Sequence, residues 1–349
     1  MAILILGLCL LVAAAPIHAQ RPKSLFYLTR DPGSVRSFLA HADKVDVLVP
    51  NWYAVDANGL VSGGPNPVVM DAARQHTVAV MPLVVNAGFV PEDMHKLLVN
   101  TATHAQIFDR LIQACKENGY VGVQLDFESV PWTDRDALSA MVREAGAAFH
   151  KAGLQLSIAT IPNAPGAAGE TGFSAWMYQT WRGAYDLKAI AESVDLLCLM
   201  TYDQHSGWTV PGPVGGWAWT TENLDYALKT VPARKLALGI PVYGYHWFSG
   251  TPIKGAEKSD KPNPTADYIS TPDALDLAKE YNGHLEWDPV ERTAWMYFYR
   301  DGVREWVFYT DVRTFRERYT LVKDRGLEGF ASWVLGMEDP GIWDLLPPH

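Results

Sequence analysis

The chain has 349 residues, 48% of them hydrophobic, and a formal net charge of −10. That hydrophobic share supports a large core and excludes a disordered chain. The acidic balance, with no Lys/Arg-rich run, excludes a general nucleic-acid binder, which needs a basic patch.

The first segment, "MAILILGLCLLVAAAPIHAQ", carries an apolar run from Ala2 to Ala15 and a small-residue site ending at Ala19. It reads as a secretory signal over residues 1–19, cleaved after Ala19, and implies a secreted or periplasmic protein. An uncleaved anchor is the alternative. Cys9 sits in a poor lipobox, which argues against a lipid anchor. The run is too short to span a bilayer comfortably, and no later run reaches that length, so no membrane span is expected after cleavage.

Residues 20–349 then alternate β-type and amphipathic helical runs. The strand candidates are residues 24–29, 45–53, 78–85, 121–128, 154–162, 195–203, 235–244 and 327–336. Helical runs such as "AQIFDRLIQACKENG" and "RDALSAMVREAGAAFHKAG" lie between them and end at Gly, a common helix stop. Alternation of this kind argues for a parallel sheet, and a count of eight for a closed (β/α)8 TIM barrel in the α/β class. Between strands seven and eight the rhythm breaks. A small α+β insertion, about residues 250–312, holds a helical "TPDALDLAKEYNG" and a hairpin "TAWMYFYRDGVREWVFYTD" with "RDG" at its turn. Cys115 and Cys198 read as buried free thiols, and the Cys/His arrangement shows no metal spacing. The chain ends soon after strand eight, so no C-terminal binding module is expected. The 13 Trp and 15 Tyr exceed ordinary core needs, which is common in sugar clefts, though core packing is the commoner use.

The chemistry concentrates in "VGVQLDFESVP", residues 121–131. A period of two places Gln124, Asp126 and Glu128 on one face, which in a barrel must be the lumen. Glu128 comes last, nearest the mouth where barrel active sites sit, and Asp126 lies one pleat deeper, about 6.6 Å along the strand. Two acids so placed do not both ionise cheaply, so one keeps a proton at neutral pH, as a general acid must. Taken alone, a D-x-E at a strand end reads equally as solvating groups or as partners of an Arg.

Together with three further motifs, "VGVQLDFE" resembles the D-G-x-D-x-D-x-E signature of glycoside hydrolase family 18, the chitinase-like barrels. "LMTYD" (199–203) is similar to that family's strand-six M-x-Y-D. "LGIPVYG" (238–244) is similar to its strand-seven motif, and "GFASWVLG" (329–336) to the strand-eight segment with a floor tryptophan. "MTYDQHSGW" and "GLEGFASWVLGMEDPGIWDLL" resemble the bacterial spore-germination and cell-wall N-acetylglucosaminidase subgroup, but none of its frequent LysM repeats is found. Val121 and Gln124 stand where the family's first two Asp residues lie.

The resemblance implies a retaining, substrate-assisted glycosidase acting on β-linked N-acetylglucosamine (GlcNAc) glycans of peptidoglycan or chitin type, without cofactor or metal. Glu128 would be the acid and then the base. Asp126 would orient the sugar acetamide, and the Tyr202 hydroxyl would fix its line of attack. Asp203 would bond a sugar hydroxyl or the acetamide, and Trp333 would floor the reacting sugar. Gln124 is expected to support Asp126 by a hydrogen bond. Tyr243 and Asn86 are candidate substrate contacts, and Asn86 could instead cap a turn. His205 and Trp208 lie on the following loop and could line a subsite or simply be solvated there. A monomer is expected. The readings of other classes are a catalytically silent lectin of the same fold and an unrelated barrel glycosidase with a protein nucleophile.

Overall fold

The computed structural model describes residues 21–248 and 266–348. The expected signal, with Cys9 and Ala19, and the first part of the expected insertion, 249–265, lie outside the described residues.

Eight parallel strands close into one ring. They are Lys23–Leu28, Val47–Val55, Leu83–Asn86, Gly122–Asp126, Gln155–Thr160, Leu196–Leu199, Leu236–Pro241 and Gly329–Trp333, called strands one to eight below. Strand one pairs with both strand two and strand eight, which closes the circle. The expected (β/α)8 barrel is the fold found.

Helices return the chain between strands, and local chemistry fixes their ends. Asp31 caps Pro32–His41 by accepting from the Gly33 N–H, and Asn66 caps Pro67–Gln75. Gly119, in left-handed conformation, ends Thr101–Asn118. No helix among the described residues is long and apolar enough to cross a membrane.

The strand period sorts side chains into two cores. Val123, Leu125 and Phe127 pack outward with the helices. Leu25, Tyr27, Val49, Leu83, Ala159, Cys198, Ala237 and Ala331 fill the lumen. Cys115 and Cys198 are both buried free thiols.

Six strands end earlier than expected, and three of the early ends matter at the mouth. Strand four stops at Asp126, leaving Glu128 on the loop beyond it. Strand six stops at Leu199, because the Thr201 and Tyr202 amides turn back onto the Leu199 and Met200 carbonyls. Strand seven stops at Pro241, and Gly244–Trp247 joins a second sheet. A Cβ on Gly244 would lie 2.4 Å from the Phe308 carbonyl oxygen, so only glycine permits that crossing.

The second sheet is antiparallel, in the order Ala266–Ile269, Gly244–Trp247, Val303–Tyr309, Thr293–Arg300, His284–Asp288. It therefore begins at Gly244, before the expected start near 250. Asp301 and Gly302 both have positive φ, the two-residue hairpin turn expected at "RDG". The helix Thr271–Glu280 covers one face, against Met296, Phe298 and Val307.

Arg318 ties this sheet to the barrel. From the helix Val312–Asp324, its fully buried guanidinium donates to the carbonyls of Arg292, Gly215 (2.7 Å) and Glu291 (3.0 Å). One cation thus joins the insertion to the loop after strand six. Burial pushes its pKa down to about 10, so it stays charged at neutral pH.

Candidate active site

Four strand ends bring the site together at the mouth of the lumen. At the bottom, Gln124 is fully buried. Its Oε1 accepts from the Tyr27 hydroxyl at 2.7 Å, and its Nε2 donates to Ser157 Oγ at 2.9 Å and Cys198 Sγ at 3.1 Å. The expected bond from Gln124 to Asp126 is not formed. The amide is satisfied instead by strands one, five and six, so it fastens the lumen beneath the acid.

Asp126 is buried, and its Oδ1 has no hydrogen-bond partner among the described residues. Glu128 is partly buried. Neither acid forms an ion pair among the described residues, so neither is the partner of an Arg. Burial raises the proton affinity of both. For Glu128, the nearby charges of Asp126 and then Asp203 add to burial, carrying its pKa to about 8. The protons leave this pair in joint steps rather than one residue at a time.

The sign of the pH effect follows. A raised pKa keeps Glu128 protonated through neutrality, and deprotonation removes the acid as pH rises. The alkaline limb of kcat/KM is therefore expected well above the ordinary carboxyl range, towards pH 8. A pH–rate profile measures it. A limb below pH 6 would contradict the geometry.

Tyr202 is half-buried beside the acids. Its pKa is raised well above normal by burial and then by the charges of Asp126, Glu128 and Asp203, so it remains a hydroxyl donor. Trp333 is half-buried, its ring 5.3 Å from that of Tyr27, and it packs with Tyr202 at the top of the lumen. Asp203 lies at the exposed rim in left-handed conformation. Its Oδ1 accepts from the hydroxyls of Tyr243 (2.5 Å) and Tyr245 (3.0 Å).

Two expected substrate contacts are placed elsewhere. Tyr243 is 0% exposed and meets the mouth from below, through its bond to Asp203 and its ring edge-on to Tyr202. Asn86 is 3% exposed, and its amide engages the backbone of Glu128 at both ends. Strand seven ends before Tyr243, so this side chain turns inward beneath the second sheet rather than into the cleft.

A cavity of about 780 Å³ opens from the loop after strand six, at Gln204 next in the chain to Asp203, and neither Asp126 nor Glu128 lines it. Its walls include Phe173, His205, Trp208, Trp247, Arg304 and Trp306. Trp208 is 69% exposed, and Trp306 stacks on Trp295 at 5.7 Å. His205 and Trp208 were read from the sequence as loop candidates. Phe173, Trp247, Arg304 and Trp306 were missed, although the alternation of Trp295, Tyr297 and Trp306, Phe308 across the hairpin signals one aromatic face. Flat rings with polar neighbours suit the C–H faces of sugars.

Known proteins are similar to this chain in sequence and fold. The chain is 26% identical over 306 residues to the cortical fragment-lytic enzyme of Bacillus subtilis, covering 84% of this chain and 65% of that protein. It thus spans about two thirds of that relative's length. The spore cortex-lytic enzyme SleL of Bacillus megaterium superposes with a TM-score of 0.81 at 23% identity, over 99% of this chain and 77% of that one. A chitinase of Chromobacterium violaceum superposes with a TM-score of 0.80 at 25% identity, over 93% and 97%. The family model described as glycosyl hydrolases family 18 matches residues 25–338, and the chain belongs to that family.

Proposed function

We propose that this protein is a glycosidase that cleaves β-linked GlcNAc glycans of peptidoglycan or chitin type with retention of configuration, using the substrate's own acetamide as nucleophile. The observation that carries the reading is the pair Asp126 and Glu128. Both are free of ion pairs among the described residues and held protonation-prone by burial, and both stand beside Tyr202 at the lumen mouth.

Glu128 protonates the glycosidic oxygen, and the C1–O bond breaks as the acetamide oxygen of the same sugar closes onto C1. The product is an oxazolinium ion and a released alcohol. Asp126, with its unpartnered Oδ1, accepts the acetamide N–H and balances the positive charge. Tyr202 donates to the acetamide oxygen and sets its approach. Glu128, now a carboxylate, takes a proton from water as that water attacks C1, which reopens the ring and restores the acid. Trp333 supports the reacting sugar, and the aromatic cavity holds its neighbours. The other nearby acid, Asp203, has one oxygen occupied by two tyrosine hydroxyls, which suits sugar binding better than nucleophilic attack. The names of the relatives above favour cell-wall or chitin glycans. Export through residues 1–19 and action as a monomer complete the proposal.

Incubation with purified peptidoglycan and with chitin oligomers, followed by mass spectrometry, is the test. Products ending in reducing GlcNAc are expected from at least one of the two. Equal cleavage of plain glucosides would overturn the reading.

A further inference from the structure

Glu128 stands two residues beyond the last residue of strand four, so no sheet ladder holds it. Side chains do so instead. Asn86, the last residue of strand three, accepts the Glu128 N–H on Oδ1 at 3.0 Å and donates from Nδ2 to the Glu128 carbonyl at 3.0 Å. One amide thus occupies both backbone groups of one residue, continuing by side chain the pairing that Val85 and Asp126 make by backbone. Tyr185, fully buried between strands five and six, donates its hydroxyl to the Phe127 carbonyl at 2.7 Å. Ser129 then adopts φ 55°, which costs a non-glycine residue energy unless its surroundings enforce it. Successive peptide groups are therefore fixed from outside, and they set the direction in which the Glu128 side chain leaves the backbone.

We propose that Asn86 and Tyr185 are positioning residues that act through the backbone of residues 127–128 to aim the Glu128 carboxyl at the scissile bond. This rests on the glycosidase reading above, because aim matters only if Glu128 transfers a proton. Neither residue is placed to touch the glycan. Misplacement of a reacting group by about 1 Å costs on the order of 100-fold in rate, so the effect belongs in kcat.

The experiment is steady-state kinetics of Asn86→Ala and Tyr185→Phe on a fluorogenic GlcNAc oligomer, with thermal melts of each variant. The expected result is kcat lower by roughly 10- to 100-fold for Asn86→Ala and by several-fold for Tyr185→Phe, with KM within about twofold. Tyr185→Phe removes one oxygen from a packed ring, so it decides the matter should Asn86→Ala not fold. Folded variants with wild-type kcat, or a loss confined to KM, would overturn the inference while leaving the glycosidase reading intact. A wild type with no turnover on any GlcNAc glycan would overturn both.

Discussion

Glu128→Gln is expected to lower kcat by on the order of 10³-fold or more while glycan binding persists. The substitution keeps the size and planarity of the side chain and removes only the transferable proton. No ion pair is lost, since Glu128 has none among the described residues. The backbone bonds to Asn86 do not depend on the side chain and remain in place. With its pKa raised to about 8, Glu128 is already mostly neutral at pH 7, so a neutral amide in its place changes the local charge little. A fluorogenic oligomer assay and calorimetric titration of the same oligomer separate turnover from binding. Retention of turnover within about tenfold would remove Glu128 from the chemistry. A wild type that binds the oligomer yet turns over no faster than the variant would be a lectin.

Much of this site was legible in the sequence because it rests on short-range periodicity. Eight apolar runs separated by helical runs give the barrel, and "RDG" gives the hairpin, since both depend on local backbone preference. Asp126 and Glu128 stand out because two acids close an apolar strand. What escaped depends on partners distant in the chain. Asn86 was open between a substrate contact and a turn cap, and its partner is a backbone unit 42 residues away. Gln124 was read as a support for Asp126, yet which groups of strands one, five and six face its amide is not written in its own segment. Its amide found partners across the lumen instead. Tyr243 was assigned to the cleft on the assumption that strand seven ran to Gly244. The strand ends at Pro241, and the ring is buried against Asp203. The aromatic cavity joins loops after strands five and six to the second sheet, a convergence that no single segment announces.

The central claim is that the nucleophile belongs to the sugar and the proton to Glu128. An unpartnered Asp126 oxygen beside a raised Glu128 pKa suits an incoming amide N–H, and in the proposed mechanism that amide's oxygen then attacks C1. The most direct measurement is kcat for fluorogenic GlcNAc oligomers whose reacting acetamide carries no, one, two or three fluorines. Each fluorine withdraws electrons from the amide oxygen and weakens it as a nucleophile while scarcely altering its size. A steep, graded fall is predicted, with the trifluoro substrate slower by roughly 100-fold or more. Rates that stay within a factor of about two across the series would contradict the account and point to a nucleophile supplied by the protein.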